Sequence, residues 1–153
     1  MQSHFQLVPE AVGFAQAGDK SAALALLADK FEKAYGHGQS PVFDALEMRE
    51  KLGSTGFGRG AAIPHARVKN VERPIAALIK LAEPVDFGAT DKLPVGLMIG
   101  LLSPPDGGAA HLQALASISR ALRDDDIINQ LQGARDREAL LAVVTNLWEQ
   151  DAA

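Results

Sequence analysis

The chain has 153 residues, 47% of them hydrophobic and 22% charged, with no cysteine and a formal net charge of −4. That size and apolar content give one domain with a core of its own, and the missing thiol excludes disulfides and a cysteine nucleophile. The acidic balance argues against nucleic acid as a partner, and no apolar run approaches the length of a membrane span, the stretch 95–102 being far too short.

Residues 1–15 lack a basic start followed by an apolar block, so a cytoplasmic location off the membrane is expected. A short strand is expected within residues 8–15. Asp19 or Ser21 can cap a helix reaching Tyr35, with Leu24, Leu27, Phe31 and Ala34 at helical spacing and Gly36 as its stop. Ser40 followed by Pro41 reads as an N-cap and a first-turn proline. The helix they open runs to Leu52 and ends at Gly53, with Arg49 and Lys51 complementing its dipole.

Residues 53–60 carry four glycines and read as a loop. Residues 61–63 should be extended, because the residue before a proline avoids the helical region. Strands are expected at 75–81 and 95–102, the second apolar on nearly every residue and so buried on both faces. Residues 103–108 form a loop. Helices follow at 109–122, at 124–132 with Gly133 as the stop, and at 136–148 with Leu140, Leu141, Val144 and Leu147 on one side. Strands and helices mixed in this way define an α/β sandwich.

The chemistry concentrates between residues 47 and 73. There Arg49, Lys51, Arg59, Arg67, Lys69 and Arg73 face only Glu47, Glu50 and Glu72, a local excess of +3 in an acidic protein. Charge alone fits a solvated basic face as well as a phosphate-handling surface. His65 stands in the middle of this segment, behind Pro64 and a glycine-rich loop. A neutral imidazole is a nucleophile near pH 7, and arginines with freed backbone N–H groups are what a phosphoryl group needs around it.

Of the other histidines, His4 and His37 lie in polar or glycine-rich stretches and read as plain surface residues. His111 falls in the first turn of its expected helix, after Gly107 and Gly108, where unpaired N–H groups attract anions. Taken alone, a histidine there is more often structural or solvent-facing. A zinc site has no support from cysteines or from close His–carboxylate spacing. The glycine loop is not followed by the Lys-Ser/Thr of a nucleotide-binding loop, and Ser54 lacks the glycine context of a hydrolase nucleophile.

The run Glu50-Lys51-Leu52-Gly53-Ser54-Thr55-Gly56, the pair Gly58 and Gly60, and Ala62-Ile63-Pro64-His65-Ala66 together carry a resemblance. They resemble the active-site signature of the type-2 (mannitol, fructose and nitrogen-regulatory) enzyme IIA domains of the bacterial phosphoenolpyruvate phosphotransferase system. The resemblance extends over about residues 8–147. It implies the mannitol-type enzyme IIA fold, a single-domain sandwich with a central mixed β-sheet flanked by helices, over residues 1–153.

It further implies that His65 accepts a phosphoryl group, on Nε2 by family habit; the residues alone leave the nitrogen open. By the same resemblance His111 is a second active-site histidine that binds the phosphoryl group and orients His65. Arg49 would neutralise phosphoryl charge, the plainer reading being a helix C-terminal cation worth ~0.3–1 kcal/mol. Ser54 or Thr55 would supply a hydroxyl, or simply cap the loop. No cofactor or metal is called for. The donor is an HPr-like phosphocarrier, and downstream partners are a IIB protein or regulated transporters and sensor kinases.

The stretch Leu52 to Gly56 looks more like the nitrogen-regulatory branch than the sugar branch, as does the lack of a IIB or IIC segment beside it. Without cysteine, a fused IIB that carries phosphate on a thiol is not expected. Phe57, Arg59 and Ala66-Arg67 depart from residues common in relatives, and arginines so near His65 could alter donor preference or phosphohistidine lifetime. Two other readings stay open: a sugar-specific enzyme IIA that passes phosphate to a IIB cysteine, and an interaction module without phosphate chemistry.

Overall fold

The structure, a computed structural model, describes residues 2–148. Its centre is the antiparallel pair β5 (Ile75–Val85) and β6 (Val95–Ser103), in register from Ile75 opposite Leu102 to Lys80 opposite Leu97. β1 (Val12–Ala15) adds in parallel to the free edge of β5. On the other side of β6 lie two short parallel partners, β3 (Ala61–Ala62) on its first half and β4 (His65–Arg67) on its last residues. β2 (Gly56–Gly58) closes that edge antiparallel to β3. The sheet is therefore mixed, in the order β1-β5-β6-β3-β2 with β4 also on β6.

Among the described residues five helices accompany the sheet: α1 (Lys20–Tyr35), α2 (Gln39–Leu52), α3 (Gly108–Arg123), α4 (Asp125–Gly133) and α5 (Arg137–Leu147). Three start on aspartates whose carboxylates accept from first-turn N–H groups: Asp19 for α1, Asp124 for α4 and Asp136 for α5. α1 stops at Gly36, which takes a left-handed conformation at φ 83°.

β6 is buried on both faces, because helices cover each. A Cβ at Gly100 would lie 2.7 Å from Leu27 Cδ2, so α1 sits directly on that face of the strand. The alternation of a strand then sends Leu97, Ile99, Leu101 and Ser103 to the opposite face, where the Ser103 hydroxyl meets His111 of α3. Leu27, Phe31, Leu78, Ile99, Leu101 and Ile118 form the middle of the core, and Trp148 closes it edge-on against Phe5, ring centroids 5.2 Å apart.

The first strand falls within the expected residues, at Val12–Ala15, after a 3-10 turn at Pro9–Ala11. Three other details differ from expectation. α2 begins at Gln39 rather than after a Ser40 cap; the Glu32 carboxylate accepts the Gln39 N–H at 2.8 Å and takes over the capping task from across the α1–α2 corner. β5 runs on to Val85 through a register shift after Lys80. The glycine loop contains β2, joined to β3 by Arg59 and Gly60 at φ 61° and 80°. Two successive left-handed residues are what a tight hairpin needs, and a three-residue strand carries no readable pattern.

Candidate functional site

His65 opens β4, opposite Leu101 of β6, and Arg67 stands opposite Ser103. Residues two apart on a strand share a face. His65 and Arg67 thus point toward the side where α3 brings His111. The two imidazoles lie 5.6 Å apart between ring centroids, tilted by 45°. α2 packs along β4. Its last turns contribute Ala45, Met48, Arg49 and Leu52 to a cleft of about 410 Å³ whose other walls are His65, Ala66, Arg67 and His111. A larger cavity, about 450 Å³, runs along the N-terminal segment and holds only His4 and Arg73 as ionisable side chains.

The two histidines are held differently. His65 is half-buried, with Nδ1 2.7 Å from the Ile63 carbonyl oxygen. A carbonyl can only accept, so Nδ1 carries the proton and Nε2 keeps its lone pair. Nε2 makes no hydrogen bond to any described residue. Burial lowers the His65 pKa below its ordinary value; the hydrogen bond to Ile63 opposes this, the Arg49 charge adds to it and Glu50 opposes it. His111 is buried, with Nδ1 2.6 Å from Ser103 Oγ. Burial first, then the charges of His65 and Arg67, push its pKa down to about 4. Both rings are neutral near pH 7.

Arg49 donates through Nη1 to the Gly53 carbonyl at 2.8 Å, closing the end of α2. Its remaining N–H groups are free to serve the cleft it lines. The plain helix-end role and the phosphate role are compatible in one side chain. Arg67 is exposed and makes no hydrogen bond or ion pair among the described residues.

Ser54 and Thr55 end elsewhere. Neither lines the cleft. The Ser54 hydroxyl donates to the Phe87 carbonyl at 2.6 Å and accepts the Gly56 N–H at 3.0 Å. The Thr55 hydroxyl donates to Glu50, whose carboxylate also accepts the Thr55 N–H at 2.7 Å and pairs with Lys20 Nζ at 2.8 Å. These bonds tie the glycine loop to α1 and to the segment after β5. Arg59 likewise points away: it donates to the Leu122 and Arg123 carbonyls at the end of α3 and pairs with Asp125. His4 and His37 are partly exposed and remote from the cleft lining.

Sequence reasoning missed Ser103 and the anchoring set of Lys20 and Phe87. A serine ending an unbroken apolar strand was the available signal for the first; nothing local marks the second. Among the described residues no group of three or more His, Cys, Asp or Glu could hold a metal, and no helix is long and apolar enough to cross a membrane.

The cleft thus gathers a neutral histidine with a bare Nε2, a second histidine beside it and arginines on the rim, on a mixed sheet flanked by helices. The chain belongs to the family described as "Phosphoenolpyruvate-dependent sugar phosphotransferase system, EIIA 2", which it matches over residues 7–147. Its relatives include a nitrogen regulatory protein of Bradyrhizobium diazoefficiens, 41% identical over 139 residues, or 90% of this chain and 91% of that protein. Among solved structures, nitrogen regulatory protein IIA-Ntr from Neisseria meningitidis superposes with a TM-score of 0.83 at 32% identity, covering 91% of this chain and 96% of that one. The mannitol IIA of Escherichia coli superposes at 0.77 with 25% identity, covering 92% and 100%. The fold expected from the sequence is the one observed.

Proposed function

We propose that this protein is a cytoplasmic phosphoryl carrier that accepts a phosphoryl group on Nε2 of His65 from an HPr-like donor. The observation that carries the reading is the bond from His65 Nδ1–H to the Ile63 carbonyl, which leaves Nε2 unprotonated at the cleft. In the transfer, the Nε2 lone pair forms a new P–N bond as the P–N bond of the donor phosphohistidine breaks. The donor ring nitrogen leaves with its electron pair. No proton has to move from His65, since Nδ1 already holds the only one.

The phosphoryl group brings charge on three oxygens. Arg49 neutralises part of it, His111 donates a hydrogen bond, and Arg67 adds a second cation at the mouth. Phosphoryl transfer requires positioning and charge stabilisation more than covalent help, so this set is sufficient. Ser54 and Thr55 are assigned to the loop rather than the phosphate. Met48 and Leu52, which line the cleft with these cations, are 69% and 82% exposed. Apolar side chains beside arginines suit a protein donor better than a small molecule.

The nitrogen-regulatory branch is the favoured setting, supported by the relatives of that name and by Leu52 to Gly56. In that setting the phosphorylation state governs binding to regulated transporters or sensor kinases. The likeness to a mannitol IIA keeps a second reading, transfer to a IIB cysteine.

The test is intact-mass spectrometry after incubation with phosphoenolpyruvate, enzyme I and HPr-type donors. The wild type is expected to gain one acid-labile, base-stable phosphoryl group, and His65→Ala none. A wild type that gains nothing from any donor is an interaction module instead. Loss of the phosphate to added IIB proteins would move the assignment to the sugar branch.

A further inference from the structure

Ser103 is fully buried at the end of β6, and its hydroxyl has one partner among the described residues, Nδ1 of His111 at 2.6 Å. Its carbonyl is occupied by the Val68 N–H at 3.0 Å. We propose that Ser103 is a positioning residue: its hydroxyl donates to His111 Nδ1, which fixes the ring proton on Nε2 and aims a donor into the cleft shared with His65. This rests on the phosphocarrier reading above.

A hydroxyl–imidazole bond can be drawn in two directions. If His111 Nδ1–H donated to Ser103, the buried serine proton would have no acceptor among the described residues and would be an orphaned donor. It would also leave a bare Nε2 lone pair at the cleft, facing phosphoryl oxygens that repel it. The opposite direction satisfies the serine proton, Nδ1 and Nε2–H together. Burial and nearby positive charge keep the ring neutral, so one tautomer has to be selected.

The contrast with His65 follows from the two Nδ1 partners. The Ile63 carbonyl can only accept, so His65 presents a lone pair; the Ser103 hydroxyl can donate, so His111 presents a proton. Two histidines in one cleft are thereby set to opposite tautomers. One is the nucleophile and the other the hydrogen-bond donor, and neither role can pass to the other without breaking a buried bond.

Long-range proton–nitrogen NMR on uniformly labelled, unphosphorylated protein at neutral pH reads both tautomers. The expected result is Nδ1–H for His65 and Nε2–H for His111. Ser103→Ala should give a mixed or Nδ1–H tautomer at His111 and slow phosphoryl acceptance by about 10- to 100-fold, by analogy with the outer partners that orient metal-bound histidines. Ser103→Thr, which keeps the hydroxyl, should restore both. Nδ1–H at His111 in the wild type overturns the proposal, as does a Ser103→Ala protein with unchanged tautomer and rate. The tautomers are read without phosphate, so a chain that never accepts phosphate would sink the carrier reading while leaving this one decided. If Ser103→Ala does not fold, the wild-type tautomer decides it.

Discussion

Arg49 and Arg59 belong to one basic stretch of sequence, yet they end in opposite kinds of environment. Arg49 gives one N–H to Gly53 and keeps the rest beside His65. Arg59 is taken up on every side: its guanidinium meets the Leu122 and Arg123 carbonyls and the Asp125 carboxylate. Its N–H donates to Asp91 at 2.8 Å, and its carbonyl accepts from Gln132 at 2.6 Å. The local excess of +3 therefore does not form one patch. Arg49 and Arg67 line the cleft and charge it, while Arg59 closes the end of α3 and fixes the hairpin turn.

That division makes the arginines separable by measurement. Arg49→Gln should slow phosphoryl acceptance on the order of 100-fold, as removal of one preorganised charge-stabilising donor does, with little change in the urea midpoint. A rate near that of the wild type would return Arg49 to the role of a helix-end cation.

Acid should act next. The lowered His65 pKa predicts that acceptance stays fast to a pH below that at which an ordinary histidine titrates midway, and then falls as Nε2 becomes protonated. Stability has the same sign. His111 titrates near 4 when folded and at about 6.5 when unfolded. Between those values the unfolded chain binds more protons, so stability drops as pH falls through that window. Urea unfolding across it should show the slope, and His111→Gln should flatten it. An unchanged slope would mean that other groups govern the acid side.

The smallest effect belongs to Arg59→Gln. Phosphoryl acceptance should be unchanged and stability reduced by only about 0.5–1 kcal/mol, because Asp125 is largely exposed and the pair is screened. A large loss of rate would erase the contrast between the two arginines.

The sequence was most legible where one residue type has one physical reason. Asp19, Gly36, Gly53, Asp124 and Asp136 mark helix ends because each cap needs that chemistry locally. The long motif around His65, and the resemblance it carries, point to His65, His111 and Arg49, and the fold brings these three side chains to one cleft. For Ser54 and Thr55 the sequence leaves a phosphate hydroxyl and a loop cap open, because a hydroxyl in a glycine loop looks the same whether it meets phosphate or a distant carbonyl. Its partners, Phe87 and a Glu50 shared with Lys20, are set only by tertiary packing. Ser103 escaped for the same reason: its role depends on which residue of α3 the strand end meets.

The most direct test of the account is nitrogen NMR on the phosphorylated, histidine-labelled protein. One phosphoryl group bonded to Nε2 of His65 is expected, with Nδ1 still protonated toward Ile63. A phosphoryl group on Nδ1, or on His111, would contradict it.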